Sequence, residues 1–372
     1  MSNLNRRSWL KAFTATGTGA LLLSPSDILK AMPKEVEEFD NGQMVRLSSN
    51  ENPYSPSDAM KEAMRNMHGQ LCRYPNSHFK TLEKIIAERE GVDPATVVVT
   101  SGSREGLKAV GLMHALSGGE ILTCLPTYKA LLTQAEYYGA NIRAVPLKED
   151  LSYNLEGLEE NINPDTKLIF VCNPNNPTGT LLDSAKLEAF CRKASEQVPV
   201  FVDEVYYDYI EEEGYPSMKH LIAEGKNIII SRTFSKVYGL AGIRVGFMMA
   251  RPVVASKIRE SLMSGTNIMA IGLAKAALED EDFRDFSLAK NRDSKDLIYQ
   301  ALDDLGLTYK RSHTNFVFFK TDRPIADVQS DFEALGVLVG RAFPPYMDWC
   351  RISTGTTEEV QSFCSALKKV FA

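Results

Sequence analysis

The sequence predicts an α/β fold in which helices cover a mainly parallel sheet, followed by a smaller α+β domain at the C-terminus. Between residues 57 and 250, segments with helical periodicity alternate with short strands. Most of these strands are continuous apolar runs, such as KLIFVC and NIIIS, which are typical of strands buried on both faces. After residue 252 the pattern changes to long helices and then to the alternating strand SHTNFVFFK, which indicates a second domain.

Each predicted element rests on the spacing of its apolar residues and on the residues at its ends. Helices are predicted where apolar residues recur every three or four positions, and Gly91 ends one of them. They span residues 58–67, 79–90, 104–116, 127–139, 325–336 and 358–371, with a mostly helical stretch over 252–305. Pro126 is predicted to open the helix over 127–139. Strands are predicted over residues 96–100, 120–126, 141–147, 167–173, 198–204, 227–233, 244–250, 312–320, 337–343 and 349–355.

The composition argues against several classes of function. Acidic residues outnumber basic residues by 48 to 42 and no basic patch dominates, so nucleic acid is not predicted as the main partner. The sequence has no apolar run of about eighteen residues, so no stable membrane span is predicted. The six cysteines include no C-x-x-C pair, so no metal site is predicted, and buried reduced thiols are expected.

The first residues resemble an export signal. The stretch NRRSWLKAFTATGTGALLL contains paired arginines, Arg6 and Arg7, followed by Trp9 and a weakly apolar run. This order resembles a twin-arginine signal, which predicts a periplasmic protein; the alternative is a disordered tail on a cytoplasmic protein. No clear cleavage site follows, so removal of the signal is left open.

Polar residues follow most strands of the predicted sheet, at the edge where open α/β sheets bind their ligands. The turn SGSREG, which includes Ser103, opens a helix and suits a phosphate. Tyr128 follows the next strand, and Asn176 lies in the rigid loop NPNNPTGT. Asp203 and Tyr206 come after a further strand. The segment SRTFSKVYGLAGIRVGF then supplies Thr233, Ser235, Lys236 and Arg244. Together these groups describe a flat, phosphorylated ligand with a basic ring nitrogen and an aldehyde, namely pyridoxal 5′-phosphate.

The order and spacing of these motifs resemble the fold-type I pyridoxal-phosphate aminotransferases, and within them the histidinol-phosphate aminotransferase branch. The resemblance covers residues 45–372 and rests on NPNNPTG, VDEVYYDY and RTFSKVYGLAGIRVGF in combination, with SSNENPYSPS and RYPN as further matches. It implies the PLP-transferase fold type I. We place a signal or tail over residues 1–35, an N-terminal arm with part of the small domain over 36–70, the large cofactor-binding domain over 71–265, and the small C-terminal domain over 266–372.

The resemblance implies a role for each residue around the cofactor. Lys236 would form the imine with the cofactor and carry a proton during the reaction. Asp203 would pair with the ring nitrogen and keep it protonated. Asn176 and Tyr206 would hold the ring hydroxyl, and Tyr128 would stack on the ring. The phosphate would be surrounded by Ser103, Arg104, Thr233, Ser235 and Arg244.

The resemblance also implies residues that face the substrate. Arg351, in CRISTG, resembles the arginine that grips the substrate carboxylate, with Asn176 beside it. Arg341 resembles a second substrate arginine, and Tyr54 is expected on the substrate side. Tyr74 would reach the cofactor phosphate of a neighbouring subunit, which implies a homodimer with shared active sites.

The implied reaction moves an amino group between a 2-oxo acid and an amino acid, or an amino-alcohol phosphate such as histidinol phosphate. A lyase resembling threonine-phosphate decarboxylase is the alternative, because the fold does not fix which bond breaks. The residues around Trp349 predict a more aromatic pocket, so aromatic donors stay open. The branch usually has an acidic or amide residue where Arg104 stands, so Arg104 either adds a phosphate contact or faces the substrate. The export signal argues against ordinary histidine synthesis.

Overall fold

A central sheet of seven strands organises the part of the chain that the computed structural model describes, residues 44–116 and 118–371. The strands of all the sheets, in chain order, are β1 (Val45–Arg46), β2 (Val97–Thr100), β3 (Glu120–Leu125), β4 (Asn141–Pro146), β5 (Thr166–Cys172), β6 (Val200–Asp203), β7 (Ile228–Thr233), β8 (Gly246–Ala250), β9 (Tyr309–Lys310), β10 (Phe316–Lys320), β11 (Val337–Leu338) and β12 (Trp349–Ser353). The central sheet has the order β2-β8-β7-β6-β5-β3-β4. Its neighbours pair in parallel except β8, which runs antiparallel to both β2 and β7. The predicted mainly parallel α/β fold is confirmed.

Strand β8 returns to the sheet without a crossover. The segment 234–245 joins the end of β7 to the start of β8, and Thr233 pairs with Gly246 across the connection. The Phe234 N–H donates to the Val245 carbonyl at 3.2 Å, which closes the base of this hairpin. Parallel neighbours, in contrast, require a crossover that carries the chain back along the sheet. The segment 234–245 therefore begins and ends at the carboxyl edge of the parallel strands.

Helices alternate with the strands, and three of them, Leu155–Glu160, Ser184–Ala194 and His220–Ala223, were missed by the sequence prediction. The helices are α1 (Asp58–Met67), α2 (Asn76–Glu90), α3 (Ser103–Ala115), α4 (Ala130–Tyr137), α5 (Leu155–Glu160), α6 (Ser184–Ala194), α7 (His220–Ala223), α8 (Pro252–Ser261), α9 (Ile268–Glu279), α10 (Glu281–Asp304), α11 (Ile325–Ala334) and α12 (Thr357–Phe371), with 3₁₀ turns at His68–Gln70, Pro94–Thr96 and Tyr207–Tyr209. Gly91 ends α2 with a φ of 65°, the left-handed conformation that glycine adopts without strain.

One helix begins later than its sequence predicts. Pro126 does not open a helix, because α4 starts only at Ala130. The side chain of Thr127 holds the intervening residues out of the helix: its hydroxyl donates to Asn175 Oδ1 at 3.0 Å and accepts from the Tyr153 hydroxyl. Tyr128 consequently lies in a turn after β3, at the carboxyl edge of the sheet.

The C-terminal sheet differs from its prediction in two strands. Strand β10 pairs antiparallel with β12 on one side and β9 on the other. The expected alternation in β10 is wrong, because the residues from Phe316 to Phe319 are all fully buried. Phe318 stacks on Trp349 with ring centroids 4.9 Å apart, and Phe319 packs in a separate apolar cluster. The strand predicted over 337–343 is reduced to β11, which pairs in parallel with β1.

The buried apolar residues form one large cluster around the central sheet and a second cluster towards the C-terminus. The second cluster takes residues from α10, β10, α11, β12 and α12, and Leu47 from the N-terminal segment belongs to it. The N-terminal segment thus packs with residues from the far end of the chain. The domain boundaries at 36–70, 71–265 and 266–372 stay predictions, and the predicted signal over 1–35 lies outside the described residues.

The cysteines are only partly as expected. Cys124, Cys172, Cys191 and Cys350 are buried free thiols, but Cys72 is exposed and Cys364 is half-buried, so the prediction is wrong for these two. Over residues 44–116 and 118–371, no helix has the length and apolar character needed to cross a membrane. The same residues contain no group of three or more His, Cys, Asp or Glu side chains placed to hold a metal ion.

Candidate active site

A cavity of about 620 Å³ lies at the carboxyl edge of the central sheet. It is lined by Ser48, Ser49, Asn50, Ser103, Arg104, Tyr128, Asn176, Val205, Tyr206, Thr233, Ser235, Lys236, Ala241, Arg244, Gln329, Val339, Arg341 and Arg351. Most of the predicted site residues are among them, although they come from separate strand ends and from the C-terminal region. The lining includes five cationic side chains and no carboxylate among the residues that the structure describes.

Lys236 lies in the hairpin between β7 and β8, and it is the lysine of this lining. Its Nζ donates to the main-chain carbonyl of Asn50 at 2.8 Å. Burial lowers the pKa of Lys236 to about 8, and the nearby guanidinium of Arg351 acts in the same direction. A minor but accessible fraction of this amine is therefore neutral near physiological pH, and the neutral form is the one that acts as a nucleophile or a general base.

Asp203 ends β6 directly beneath the cavity and does not line it. Its side chain is fully buried, and the Ser231 hydroxyl donates to its Oδ1. Burial raises the pKa of Asp203 to about 7, although the bond from Ser231 and the main-chain amide of Val205 oppose the shift. The carboxylate is thus poorly compensated by the protein, and a cationic ligand group next to it would be stabilised.

Tyr206 and Asn176 form a hydrogen-bonded pair on one wall of the cavity. The Tyr206 hydroxyl accepts from Asn50 Nδ2 at 3.0 Å and lies 3.4 Å from Asn176 Nδ2. Asn50 adopts a left-handed φ of 53°, which asparagine tolerates better than most residues. Burial raises the pKa of the Tyr206 phenol, so the hydroxyl keeps its proton and can donate to a ligand oxygen.

The turn before α3 provides an anion-binding corner. Helix α3 has 13 residues, and the first amides of a helix lack intrahelical acceptors. Gly102 precedes it with a φ of 81°, and a Cβ at this position would lie 2.2 Å from Arg244 Nη2. Only glycine therefore permits this approach of the guanidinium. Arg244 itself has a φ of 64°, a rare conformation for a non-glycine residue that is typical of functional sites. Its Nη1 lies 3.4 Å from the Ser235 hydroxyl, which also accepts from Thr233.

Two further arginines occupy the opposite end of the cavity. Arg351, on β12, donates from Nη1 to Asn176 Oδ1 and from Nη2 to the Ser48 carbonyl, each at 2.8 Å. Its Nε is buried and has no hydrogen-bond partner among the described residues. Burial lowers the pKa of Arg351 to about 10. Arg341 is exposed and lies over the Phe343 ring, with 4.3 Å from Cζ to the centroid.

The predicted aromatic pocket is wrong. Phe343 and Trp349 are buried against Phe318, and Tyr346 packs on the same group. None of these four rings is among the residues that line the cavity. Of the four, Phe343 contacts the arginines: Arg341 Cζ lies 4.3 Å and Arg351 Cζ 5.0 Å from the centroid of its ring.

Two of the predicted site residues, Tyr54 and Tyr74, do not line the main cavity. Tyr54 lines a small separate cavity and contacts Phe286 edge to face, with ring centroids 5.3 Å apart. Tyr74 is 91% exposed and does not line the main cavity. The lining also includes residues that sequence reasoning did not single out, namely Ser48, Ser49, Asn50, Val205, Ala241, Gln329 and Val339. The first three belong to the SSNENPYSPS motif, so a signal for them was present in the sequence.

The pattern of the family described as aminotransferase class I and II matches residues 42–367. The chain belongs to this family. This aminotransferase is 34% identical to the histidinol-phosphate aminotransferase of Moorella thermoacetica over 94% of the chain and 92% of the relative. It is 33% identical to the histidinol-phosphate aminotransferase of Bacillus licheniformis, covering 93% and 96%. The crystal structure of histidinol-phosphate aminotransferase from Sinorhizobium meliloti in complex with pyridoxal-5′-phosphate matches with a TM-score of 0.81 at 26% identity, covering 88% of this chain and 90% of that one.

This aminotransferase uses pyridoxal 5′-phosphate, and the side chains in and beneath the cavity fit that group. The uncompensated Asp203 carboxylate suits a protonated ring nitrogen, and the corner formed by Gly102 and Arg244 suits a phosphate. Lys236 and Tyr206 line the same cavity, with Lys236 Nζ 5.5 Å from the centroid of the Tyr206 ring. When bound, the cofactor supplies an aldehyde for amines and a ring that accepts the electrons released at the substrate Cα.

Proposed function

We propose that this aminotransferase moves an amino group from a phosphorylated amino alcohol of the histidinol-phosphate type to a 2-oxo acid. The observation that carries this proposal is the charge of the cavity: Arg104, Lys236, Arg244, Arg341 and Arg351 line it, and no carboxylate does so among the described residues. A cavity of this kind favours ligands with several negative charges.

The cofactor accounts for only part of this positive charge. In the proposed arrangement, the cofactor phosphate occupies the corner of Gly102 and Arg244, and Lys236 meets the aldehyde. Arg341 and Arg351 then remain for the substrate. A single carboxylate is satisfied by one bidentate arginine, whereas a phosphate dianion or a dicarboxylic 2-oxo acid can use two or three cations. The phosphorylated amino donor and the 2-oxo acid acceptor would bind to the same arginines, one after the other.

The relatives support this substrate class. Several relatives at 31–34% identity are histidinol-phosphate aminotransferases, and the chain covers more than 90% of each of the two compared above. Decarboxylation is not favoured. The L-threonine-O-3-phosphate decarboxylase of Porphyromonas gingivalis shares only 22% identity, which supports a common fold and nothing more about the reaction.

The proposed roles of the site residues follow from their positions. Lys236 would hold the cofactor and then act as the base at the substrate Cα, because its pKa of about 8 makes the neutral amine accessible. Asp203 would keep the ring nitrogen protonated, and Tyr206 with Asn176 would donate to the ring hydroxyl. Tyr128 would lie against the ring. The phosphate contacts would come from Ser103, Arg104, Thr233, Ser235 and Arg244.

A donor panel tests the proposed substrate. Histidinol phosphate is expected to convert the cofactor spectrum of the holoenzyme to that of the amine form, and aromatic or aliphatic amino acids to do so far more slowly. Arg341→Gln is expected to lower kcat/KM for histidinol phosphate about 10- to 100-fold, since a charge-assisted hydrogen bond contributes about 1.5–3 kcal/mol. Arg292→Gln, an exposed arginine of α10, serves as the matched control and should leave kcat/KM unchanged.

Three outcomes would contradict this assignment. One is equal conversion by amino acids that lack a second anionic group. Another is an Arg341→Gln variant with unchanged kinetics for the phosphorylated donor. Release of CO₂ from a phosphorylated amino acid, without formation of the amine form of the cofactor, would instead support the lyase reaction.

We propose that the protein is a homodimer in which Tyr74 contributes to the partner's site. Tyr74 is 91% exposed in the single chain, which is unusual for a large aromatic side chain and suits a position at an interface. Light scattering of the purified holoenzyme should give twice the mass of the 372-residue chain. A monomer with full activity would contradict shared sites.

We propose, in addition, that the segment with Arg6 and Arg7 directs export of the folded holoenzyme to the periplasm. The supporting observation is the order of paired arginines, Trp9 and a weakly apolar run in the sequence. Cell fractionation should recover the protein in the periplasm and, after Arg6→Lys together with Arg7→Lys, in the cytoplasm. Recovery of the unaltered protein in the cytoplasm would favour the alternative.

A further inference from the structure

Asp203 lies between two residues that occupy the same level on the neighbouring strands. In the parallel ladder, Cys172 of β5 pairs with Asp203, and Asp203 pairs with Ser231 of β7. Register partners project from the same face of a sheet. The Ser231 hydroxyl donates to Asp203 Oδ1, and Cys172 Sγ lies 4.0 Å from Oδ2. Among the described side chains, Ser231 is the one that donates an O–H or N–H to this carboxylate.

Asp203 and its neighbours on the adjacent strands are shielded from bulk water. Asp203 and Ser231 are both 0% exposed, and Cys172 is 1% exposed. Burial has the largest effect on the pKa of Asp203 and raises it; the bond from Ser231 is the largest effect that lowers it, followed by the Val205 amide, while Glu204 raises it and Lys236 lowers it. Cys172 and Tyr128 also face it, and the negative charge of Asp203 raises the pKa of both. Ser231 is therefore the side chain that most favours the ionised form of Asp203.

We infer that Ser231 is a positioning residue that keeps the Asp203 carboxylate ionised, the state that pairs with a protonated ring nitrogen of the cofactor. This inference rests on the proposed role of Asp203. Ser231 touches neither the cavity nor the reacting atoms, so it acts only through Asp203. A hydrogen bond to a charged acceptor stabilises it more than one to a neutral acceptor, so the hydroxyl favours the ionised form.

The first test uses the cofactor-free protein and follows the melting temperature of Ser231→Ala and of the unaltered protein against pH. The pKa of Asp203 is raised in the folded state, so its favourable contribution is complete at low pH and is lost as pH rises through about 7. Loss of the donor raises this pKa further, by about one unit. The variant should therefore be further destabilised only above about pH 6, with an extra loss of about 1–3 °C by about pH 9.

Matched variants separate this effect from the loss of a buried hydrogen bond alone. Thr123→Val removes another fully buried hydroxyl, which donates to the Phe170 carbonyl at 2.8 Å, and its destabilisation should not vary with pH. Ser231→Thr keeps the donor and should restore the original pH profile. Ser231→Ala in an Asp203→Asn background should cause a loss that is the same at every pH. A pH-independent loss for Ser231→Ala in the unaltered background would overturn the inference and leave the proposed function standing.

The second test measures the dissociation constant of pyridoxal 5′-phosphate as a function of pH. Binding to Ser231→Ala should weaken at and below about pH 7, by up to about tenfold, and not above about pH 9, because Asp203 must first lose a proton and the curve should move up by about one pH unit. Ser231→Thr should follow the unaltered protein. If the melting temperatures shift as expected but the pH dependence of cofactor binding does not, the proposed pairing of Asp203 with the ring is wrong, and the inference fails with it.

Discussion

Replacement of Lys236 by alanine is expected to lower kcat/KM by at least about 10³-fold, because a positioned general base contributes about 10²–10⁴-fold and this variant also loses the covalent hold on the cofactor. No other lysine lines the cavity among the described residues, so no neighbouring amine can substitute. The measurement is single-turnover conversion of the cofactor spectrum with histidinol phosphate. Dialysis should also remove the cofactor from this variant more readily than from the unaltered enzyme.

A second lysine provides the control for this result. Lys108 is an exposed residue of α3, the helix that begins at Ser103, and Lys108→Ala should retain turnover and cofactor. Equal losses in both variants would point to a general effect of charge on the protein. Turnover that persists in Lys236→Ala would refute the assignment of the base.

Asp203→Asn is expected to lower kcat/KM between about 10²- and 10⁴-fold, because loss of one partner from a buried charged pair costs about 3–5 kcal/mol. Asparagine has nearly the same shape, but its neutral amide cannot hold a proton on the ring nitrogen. Steady-state kinetics with the donor and acceptor of the proposed reaction measure the effect. Asp203→Glu, which keeps the charge on a longer side chain, should retain more activity than Asp203→Asn.

Stability distinguishes this loss from unfolding. The raised pKa of Asp203 means that its ionisation in the cofactor-free protein becomes a cost as pH rises through about 7. Asparagine removes that cost, so the melting temperature of cofactor-free Asp203→Asn at pH 8 should equal or exceed that of the unaltered protein. An active Asp203→Asn enzyme would contradict the pairing with the ring nitrogen.

Much of the fold and the site could be predicted because the informative residues stand at strand ends. Parallel strands place their carboxyl ends at one edge, so residues such as Asn176, Asp203 and Lys236 could be expected together before any coordinates existed. Continuous apolar runs predicted the strands of the central sheet, because strands buried on both faces are apolar throughout. The predicted start of α4 was wrong, because a hydrogen bond from the Thr127 hydroxyl to Asn175 overrides the local helix signal.

Other features depend on contacts that sequence spacing does not reveal. Asn50 reaches Lys236 across 186 positions, from a segment with little secondary structure of its own. Ser231 lies within a strand, and its place beside Asp203 follows from the register of β6 and β7, which the apolar pattern of fully buried strands does not fix. The aromatic residues near Arg351 were predicted to shape the pocket, but they do not line it. Every residue of β12 is buried, so the burial pattern of this strand does not show which of its side chains face the cavity.

The hairpin connection between β7 and β8 separates the residues proposed to hold the cofactor from those proposed to hold the substrate. Lys236 and Arg244 share one short arc of chain that is anchored at both ends in the same sheet, whereas Arg341 and Arg351 belong to the C-terminal part. A change in the position of Arg341 or Arg351 would leave the spacing between Lys236 and Arg244 unaltered, because these two residues belong to the same hairpin. Exchange of the substrate would then not require release of the cofactor.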